Sequence, residues 1–369
     1  MTALPHVNLL PPLAKAKDLL FSINGEYIFD VVATQNAIAV SASDNQIKIY
    51  DPLLNLQGSL IAHTGTISNL AFLATDPNTL VSSARDGNVF AWDLRRPQSP
   101  VITWKAPNRH SILSHAVSPA ANLLAAGTEL TGADAYIHFY DLRHAATAPM
   151  HTFSESVADD VTQLHFHPSV PTRLLSGSTD GVACVFDLVH WDEDEDLAGS
   201  MPSGSSVNKV GWFGPTGEYV WMSTHIETFS VWSAEGDLLK DFGDVRQHST
   251  ASTPIDYVVG CEYDAATQRL YMAAGSHSGS LSLLHVSLDG LQHCQTLPTA
   301  HTDVVRSVSL DFTEGRMVSG GEDAKMALWK RADDPTVTAA PVVTPTATAT
   351  RPAPARLHQA RKAAAPYSR

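Results

Sequence analysis

Residues 67–94 read ISNLAFLATDPNTLVSSARDGNVFAWDL, and this stretch decides the fold. ISNLAFLA (67–74), TLVSSAR (79–85) and VFAWDL (89–94) are short runs rich in β-branched or aromatic residues, parted by turn residues, and so read as three strands. An Asp86-Gly87 turn precedes the third strand, and Trp92-Asp93 follows six residues after Asp86. The same offset recurs from Asp44 to Tyr50-Asp51, Asp134 to Tyr140-Asp141, Asp180 to Phe186-Asp187 and Asp323 to Trp329. Two weaker copies end at Val231-Trp232 and Leu284-His285, with Ile226 and Ser278 where the aspartate should stand. The seven marks are 42, 48, 46, 46, 52 and 45 residues apart, a period that composition alone does not produce.

Every unit follows this strand scheme, as in VTQLHFHP, RLLSGST and VACVFDL within 161–188. No segment carries a long apolar stripe at helical spacing. A single four-stranded sheet cannot bury both of its faces, whereas seven packed radially around an axis can. The expected fold is therefore all-β, a seven-bladed β-propeller over residues 14–331. The last unit supplies three strands (305–312, 316–322, 326–330), and AKAKDLLFS (14–22) is placed to complete that blade and close the ring. Residues 1–13 then form an N-terminal extension and 332–369 a tail.

The Asp turn and the Trp-Asp dipeptide closing the third strand resemble the WD-repeat family. Two units also match the rest of that family's hydrogen-bonding set: His63, Ser82, Asp86 and Trp92, and His301, Ser319, Asp323 and Trp329. A neutral histidine can donate to the turn aspartate while accepting from the serine, whose oxygen takes the indole N–H. A histidine, serine and aspartate at these spacings are thus architectural and not a catalytic triad. DDVTQLHFHPSVPTRLLSGSTDGVACVFDL (159–188), DVRQ (244–247), IDYVVG (255–260) and SGGEDAKMALWK (319–330) are similar to segments of the WD repeat-containing protein 89 family. The resemblance spans residues 20–331 and implies a non-catalytic platform, with nuclear work in ribosome assembly as its hint.

Composition agrees with this class. Hydrophobic residues make 44% of the chain, enough for a large core, and no apolar run approaches the roughly 18 residues of a membrane span. The N-terminus MTALPHVNLLPPLAKAKDLL has no charged start followed by an apolar segment, so no secretory signal is expected. Cys184, Cys261 and Cys294 lie at least 33 residues apart, which excludes a CxxC pair and argues against a disulfide framework. The expected location is intracellular, in nucleus or cytoplasm. Net charge is −14, yet residues 335–369 hold five basic residues and no acid, leaving −19 on the remainder. That body should repel nucleic acid while the Ala/Pro/Thr-rich tail, read as disordered, could touch it.

No GxxxxGK[ST], GxGxxG before a helix, or HExxH is present, and Gly275-Ser276-His277-Ser278-Gly279 has histidine where a nucleophile should stand. No cofactor, metal or small-molecule substrate is expected. A channel enzyme would need acids or histidines on the first strands near the axis, where ISNL and VTQL place mostly Val, Leu, Ala and Ser. His165 and His167 read as isolated imidazoles of a strand and its end, and His225 and His277 as turn residues of adjacent units. The acidic run Asp192–Asp196 reads as a solvated loop, or else as a contact for a basic peptide or ribosomal protein. Units five and six, lacking the turn aspartate, are expected to lose its hydrogen bonds.

Three functions remain: a scaffold for proteins or peptides, a nucleic-acid adaptor using the basic tail, and a ubiquitin-ligase substrate adaptor. For the scaffold, aligning the units on His63 and His301 turns one set of residues to one rim. These are Tyr27, Phe29, Ser68, Arg85, Leu113, Asp160, Thr162, Asn208, His225, Tyr257, His277, Arg306 and Glu322, joined by Asp244 and Arg246. Phe29, Arg85, Arg246, Tyr257 and Arg306 stand out, being of the types enriched at interface hot spots.

Overall fold

The computed structural model describes residues 4–22, 25–297 and 300–337. Each of the seven units forms a four-stranded antiparallel sheet. Their first strands are Ile28–Ala33, Ile67–Leu73, Ile112–Ser118, Val161–Phe166, Val207–Phe213, Tyr257–Asp264 and Val305–Asp311. Each packs against the first strand of the next blade, and that of blade seven returns to blade one, so a closed ring encircles a central channel. The buried apolar side chains of the described residues gather in seven clusters, each drawn mainly from two neighbouring blades. Blade-to-blade packing is therefore what buries the sheet faces that one blade alone would leave wet. No helix among the described residues is long and apolar enough to cross a membrane.

The ring closes between distant segments. Leu13–Leu20 pairs antiparallel with Lys325–Arg331 as the outer strand of blade seven, from Leu13 opposite Arg331 to Leu20 opposite Lys325. The expected extension is not free. Val7 N donates to His293 O (2.8 Å) and His293 N to Pro5 O (2.9 Å), laying the segment along the outer strand of blade six, Gly290–Leu297. The Gln295 side-chain amide then meets both backbone groups of Leu13, at 2.8 and 2.6 Å. Of the expected tail, residues 338–369 lie outside the described residues.

A β-bulge interrupts all seven first strands at the same place, adding one residue: Phe29, Ser68, Leu113, Thr162, Asn208, Val259 and Arg306. Buried positions are consequently three apart instead of two, as in Ile28/Val31, Ile67/Leu70, Val161/Leu164 and Val207/Val210. The residues between them reach the channel, which is lined by Asp30, Asn69, Gln163, His165, Lys209 and Glu262 among others. This corrects the apolar axis expected from ISNL and VTQL. Strict alternation fails across a bulge, because the extra residue re-aims the side chains that follow it.

The acidic run also departs from expectation. It forms one helical turn, Glu193–Asp196, capped by Asp192, whose side chain accepts from Asp194 N and Glu195 N. Glu193 accepts from Ser154 N (2.7 Å), Glu155 N (2.9 Å) and Ser156 N (2.7 Å) at the edge of blade three. Asp196 is fully buried and accepts from Val189 N (3.1 Å), His190 N (2.9 Å) and Trp191 N (2.9 Å). Orphan backbone donors in an irregular segment need acceptors, and these carboxylates supply them. Two of the five acids are thus structural clamps, not solvated charges.

Candidate functional site

The two complete repeat networks show their chemistry in distances. His63 Nε2 lies 2.8 Å from Ser82 Oγ and its Nδ1 3.2 Å from Asp86 Oδ2, while Trp92 Nε1 donates to Ser82 Oγ at 2.9 Å. In blade seven, His301 meets Ser319 (2.8 Å) and Asp323 (3.1 Å), and Trp329 Nε1 donates to Ser319 Oγ at 3.0 Å. Burial raises the Asp86 pKa, but hydrogen bonds from His63 and from Thr64 N outweigh it and hold the group at about 2 against the ordinary 3.8. Because the folded value is the lower one, this stabilisation is complete above about pH 4 and is lost as pH falls through 2. Asp86→Ala or Asp323→Ala strands a buried histidine and should each cost about 1–3 kcal/mol in denaturant melts. Wild-type melting by either variant would show that its histidine needs no acceptor.

Blades five and six replace the missing aspartate. Glu227, one position later and at φ 64°, accepts from Val258 N of the next blade (2.8 Å). Asp256 accepts from His277 N (2.8 Å), and Ser276 Oγ from Ser280 N (3.2 Å). These bonds offset part of the expected loss without rebuilding the histidine–serine–aspartate–tryptophan network.

The rim residues separate into two groups. Arg85 Nη1 bonds Glu129 (2.7 Å), and Asp160 accepts from Leu130 N (2.8 Å), so both are spent joining neighbouring blades. Arg246 is clamped on Asp244 at 2.8 and 2.9 Å. Tyr27 is exposed; Phe29 and Leu113 are half-buried bulge residues. Ser68 bonds Ser83, and Thr162 bonds Gly177 O and Val207 O, away from any groove, but the remaining residues of blades five to seven converge. His225, Tyr257, His277 and Arg306 line one groove of about 360 Å³, with Glu227, Lys209 and the ends of three first strands. His225, His277 and Arg306 are exposed there, Arg306 Nε donating to Glu322 at 2.6 Å.

Tyr257 is less free than a docking residue should be. Its hydroxyl accepts from Val305 N (2.7 Å) and bonds Ser276 O (3.4 Å), and burial pushes its pKa up to about 12. A Cβ on Gly275 would overlap its ring, so glycine is required opposite it. Tyr257 holds blade six to blade seven and forms the groove's wall. Neither histidine pair completes a metal site: no cluster of three ligating side chains occurs among the described residues. His167 instead caps the strand end, bonding Gly217 O at 3.1 Å and accepting from Ser169 N and Val170 N.

The groove opens into the channel, Lys209 and Val259 lining both. Sequence reasoning missed the channel's charged set entirely, since its only signal is the polar residue after each bulge. Lys209 Nζ donates to Val259 O (2.6 Å), and desolvation lowers its pKa. Asp30 accepts from Ser307 Oγ (2.9 Å), Val31 N (2.9 Å) and Leu70 N (3.0 Å). His165 is driven down to about 4 by desolvation and by Lys209.

Comparison with known proteins fits this geometry. Residues 54–93, 147–187 and 292–330 match the WD domain, G-beta repeat family. The WD repeat-containing protein GTS1 of Arabidopsis thaliana is 31% identical over 85% of this chain and 84% of its own length. The chain belongs to the WD-repeat family. Within it, this WD-repeat protein is 29% identical to a WD repeat-containing protein 89 homolog of Dictyostelium discoideum, over 85% of this chain and 84% of that one. It is also 26% identical to a ribosome biogenesis protein YTM1 of Phaeosphaeria nodorum, over 53% of this chain and 41% of that one. A chain in a crystal structure of the mitotic checkpoint complex shares the fold, with a TM-score of 0.68 at 16% identity over 89% of this chain and 95% of that chain.

Proposed function

We propose that this WD-repeat protein is a non-catalytic scaffold holding a peptide segment of a partner in the groove of blades five to seven, within a nuclear assembly that matures ribosomes. One observation carries the reading: His225, His277 and Arg306 gather around one concave groove, with Arg306 paired only to Glu322 of its own blade, while Arg85 and Asp160 elsewhere on the rim bond across to a neighbouring blade. Concave sites with a few convergent polar groups are where ligands bind, and arginine is over-represented among binding hot spots. The ribosome-assembly part draws on the similarity to the ribosome biogenesis protein YTM1. The tail as an RNA contact and the ubiquitin-ligase adaptor are competing outcomes of the same test.

The test is affinity capture with mass spectrometry on the full chain and on a His225→Ala, His277→Ala, Arg306→Ala variant. Tyr257 is left intact because it joins two blades. Ribosome-assembly factors should dominate the capture and fall at least tenfold in the variant, with circular dichroism and melting near wild type. Undiminished capture by the folded variant rejects the groove. Capture of ubiquitin-ligase subunits, or of RNA lost only on deleting 335–369, rejects the assembly role.

A further inference from the structure

A pocket of about 330 Å³ lies between blades three and four, on the face where the first strands end. The groove of blades five to seven is on the opposite face, where they begin. Leu123 and Leu188, both buried, line the pocket together with Met150 and the half-buried Trp191. Leu123, Leu188 and Trp191 belong to one apolar cluster, so the pocket is an opening into the seam between these two blades. Apolar surface continues out of it: Met150 is 48% exposed, and Val189, next to Leu188, is 65% exposed.

Trp191 is fixed in place before any ligand arrives. Its backbone sits at φ 61°, which a bulky residue adopts only under constraint, and Asp196 holds it there by accepting from Trp191 N at 2.9 Å. The indole stacks on His151 with ring centroids 4.5 Å apart and meets Phe139 edge-on, so it has little rotamer freedom left to lose. Its Nε1–H nevertheless meets no acceptor among the described residues. Backbone strain gathers at ligand clamps, and tryptophan and methionine are over-represented at binding surfaces. The charge beside the pocket has one sign. Glu193 and Asp196 are spent on backbone donors, but Asp194 and Glu195, three and four residues after Trp191, are exposed. Asp194 pairs with no cation among the described residues, and the group nearest Glu195 is His190 Nδ1 at 4.0 Å. The pocket's own arginine, Arg143, is neutralised by Asp141 at 2.9 and 2.6 Å. An acidic segment would be repelled here, and a cation alone would leave the apolar recess wet.

We propose that this pocket docks an extended segment of a partner protein in which one apolar side chain, leucine or methionine in size, is flanked by lysines or arginines. The apolar side chain enters between Met150 and Trp191, and the indole N–H donates to a carbonyl of the segment. The flanking cations lie against Asp194 and Glu195. The site does not rest on the groove of blades five to seven or on its proposed role. With both occupied, the ring holds two chains at once, one on each face.

The experiment titrates the full chain, isotope-labelled at methionine methyl groups and tryptophan indoles, with the peptide acetyl-Lys-Arg-Leu-Arg-Lys-amide and follows it by NMR. The Met150 methyl and Trp191 indole signals, assigned with Met150→Leu and Trp191→Phe, should shift saturably. Affinity should fall at least fivefold on raising salt from about 50 to about 300 mM. Glycine in place of the peptide's leucine should abolish the Met150 shift, and glutamate in place of its basic residues should abolish binding. Read at the indole, Met150→Ala should weaken binding at least threefold with unchanged melting, as should Asp194→Asn combined with Glu195→Gln. His277→Ala in the groove should leave it intact. The absence of a saturable shift, equal shifts from the leucine and glycine peptides, or an affinity unmoved by salt overturns the proposal on the wild-type chain alone. Wild-type affinity in either pocket variant overturns it as well, and neither result bears on the groove.

Discussion

A chain lacking residues 1–22 is expected to aggregate, not to persist as a slightly weaker ring. The deletion strips the outer strand of blade seven from Lys325–Arg331 and leaves that strand as an unpaired edge. It also removes Leu13 and Phe21, both buried, from the clusters on either side of blade seven. Burying each such side chain is worth about 1.5–3 kcal/mol. The lost ladder adds about 0.5–1.5 kcal/mol per hydrogen bond. The sum is about 5 kcal/mol or more, comparable with the whole stability of many proteins. An open edge is in addition a template for other chains. Light scattering and size-exclusion chromatography should show oligomers, and a synthetic peptide of residues 4–22 supplied during refolding should reduce them. A monomeric deletion variant melting near wild type would mean that the ring holds without its closing strand.

The second large effect belongs to Asp196. Asp196→Ala leaves three backbone donors, of Val189, His190 and Trp191, without their acceptor at a site with almost no water. At about 1–3 kcal/mol for each stranded group, partly relieved by local opening, the cost should be about 3 kcal/mol or more. The damage should spread between blades. Trp191, held at φ 61°, packs edge-on against Phe139 and stacks on His151 at 4.5 Å, so its release loosens blade three from blade four. Asp196→Asn retains one acceptor oxygen and should lose roughly half as much. Burial raises the Asp196 pKa, but the hydrogen bonds from His190 N, Val189 N and Trp191 N prevail and lower it. Its stabilisation is therefore present above the ordinary carboxylate range and lost as pH falls below it. Urea melts of both variants at pH 7, and of the wild type down to pH 3, measure this; a loss below 1 kcal/mol in Asp196→Ala would show that water replaces the carboxylate.

The ring itself was legible because one short signal repeats: an aspartate turn six residues before an aromatic residue at the end of the third strand. Strand completion by 14–22 followed from counting strands in the last unit. The channel was not legible, since a bulge inserts one residue without any residue type that marks it. Nothing in Phe29 or Asn208 distinguishes them from ordinary strand residues, yet they decide that Asp30 and Lys209 line the channel. The roles of Glu193 and Asp196 were hidden for a different reason, because five consecutive acids look alike until the backbone groups around each are known. Blades five and six misled by position: Glu227 stands one residue after the expected site, and Asp256 approaches the turn from the preceding loop. The groove assembled only a third of the expected rim: Arg85 and Asp160 met partners on a neighbouring blade and Arg246 met Asp244 beside it, which alignment of single repeats cannot reveal.

The seam between Leu13–Leu20 and Lys325–Arg331 also has a history in time. On a translating ribosome the first of these strands is made some three hundred residues before the second. At about 5–20 residues per second, that is a delay on the order of 15–60 s. Throughout it, Leu13–Leu20 has no strand to pair with, while blades one to six can assemble behind it. The birth of this ring therefore includes an obligatory interval in which one end waits, and a chaperone that shelters residues 4–22 would act in that interval and leave no trace on the finished molecule.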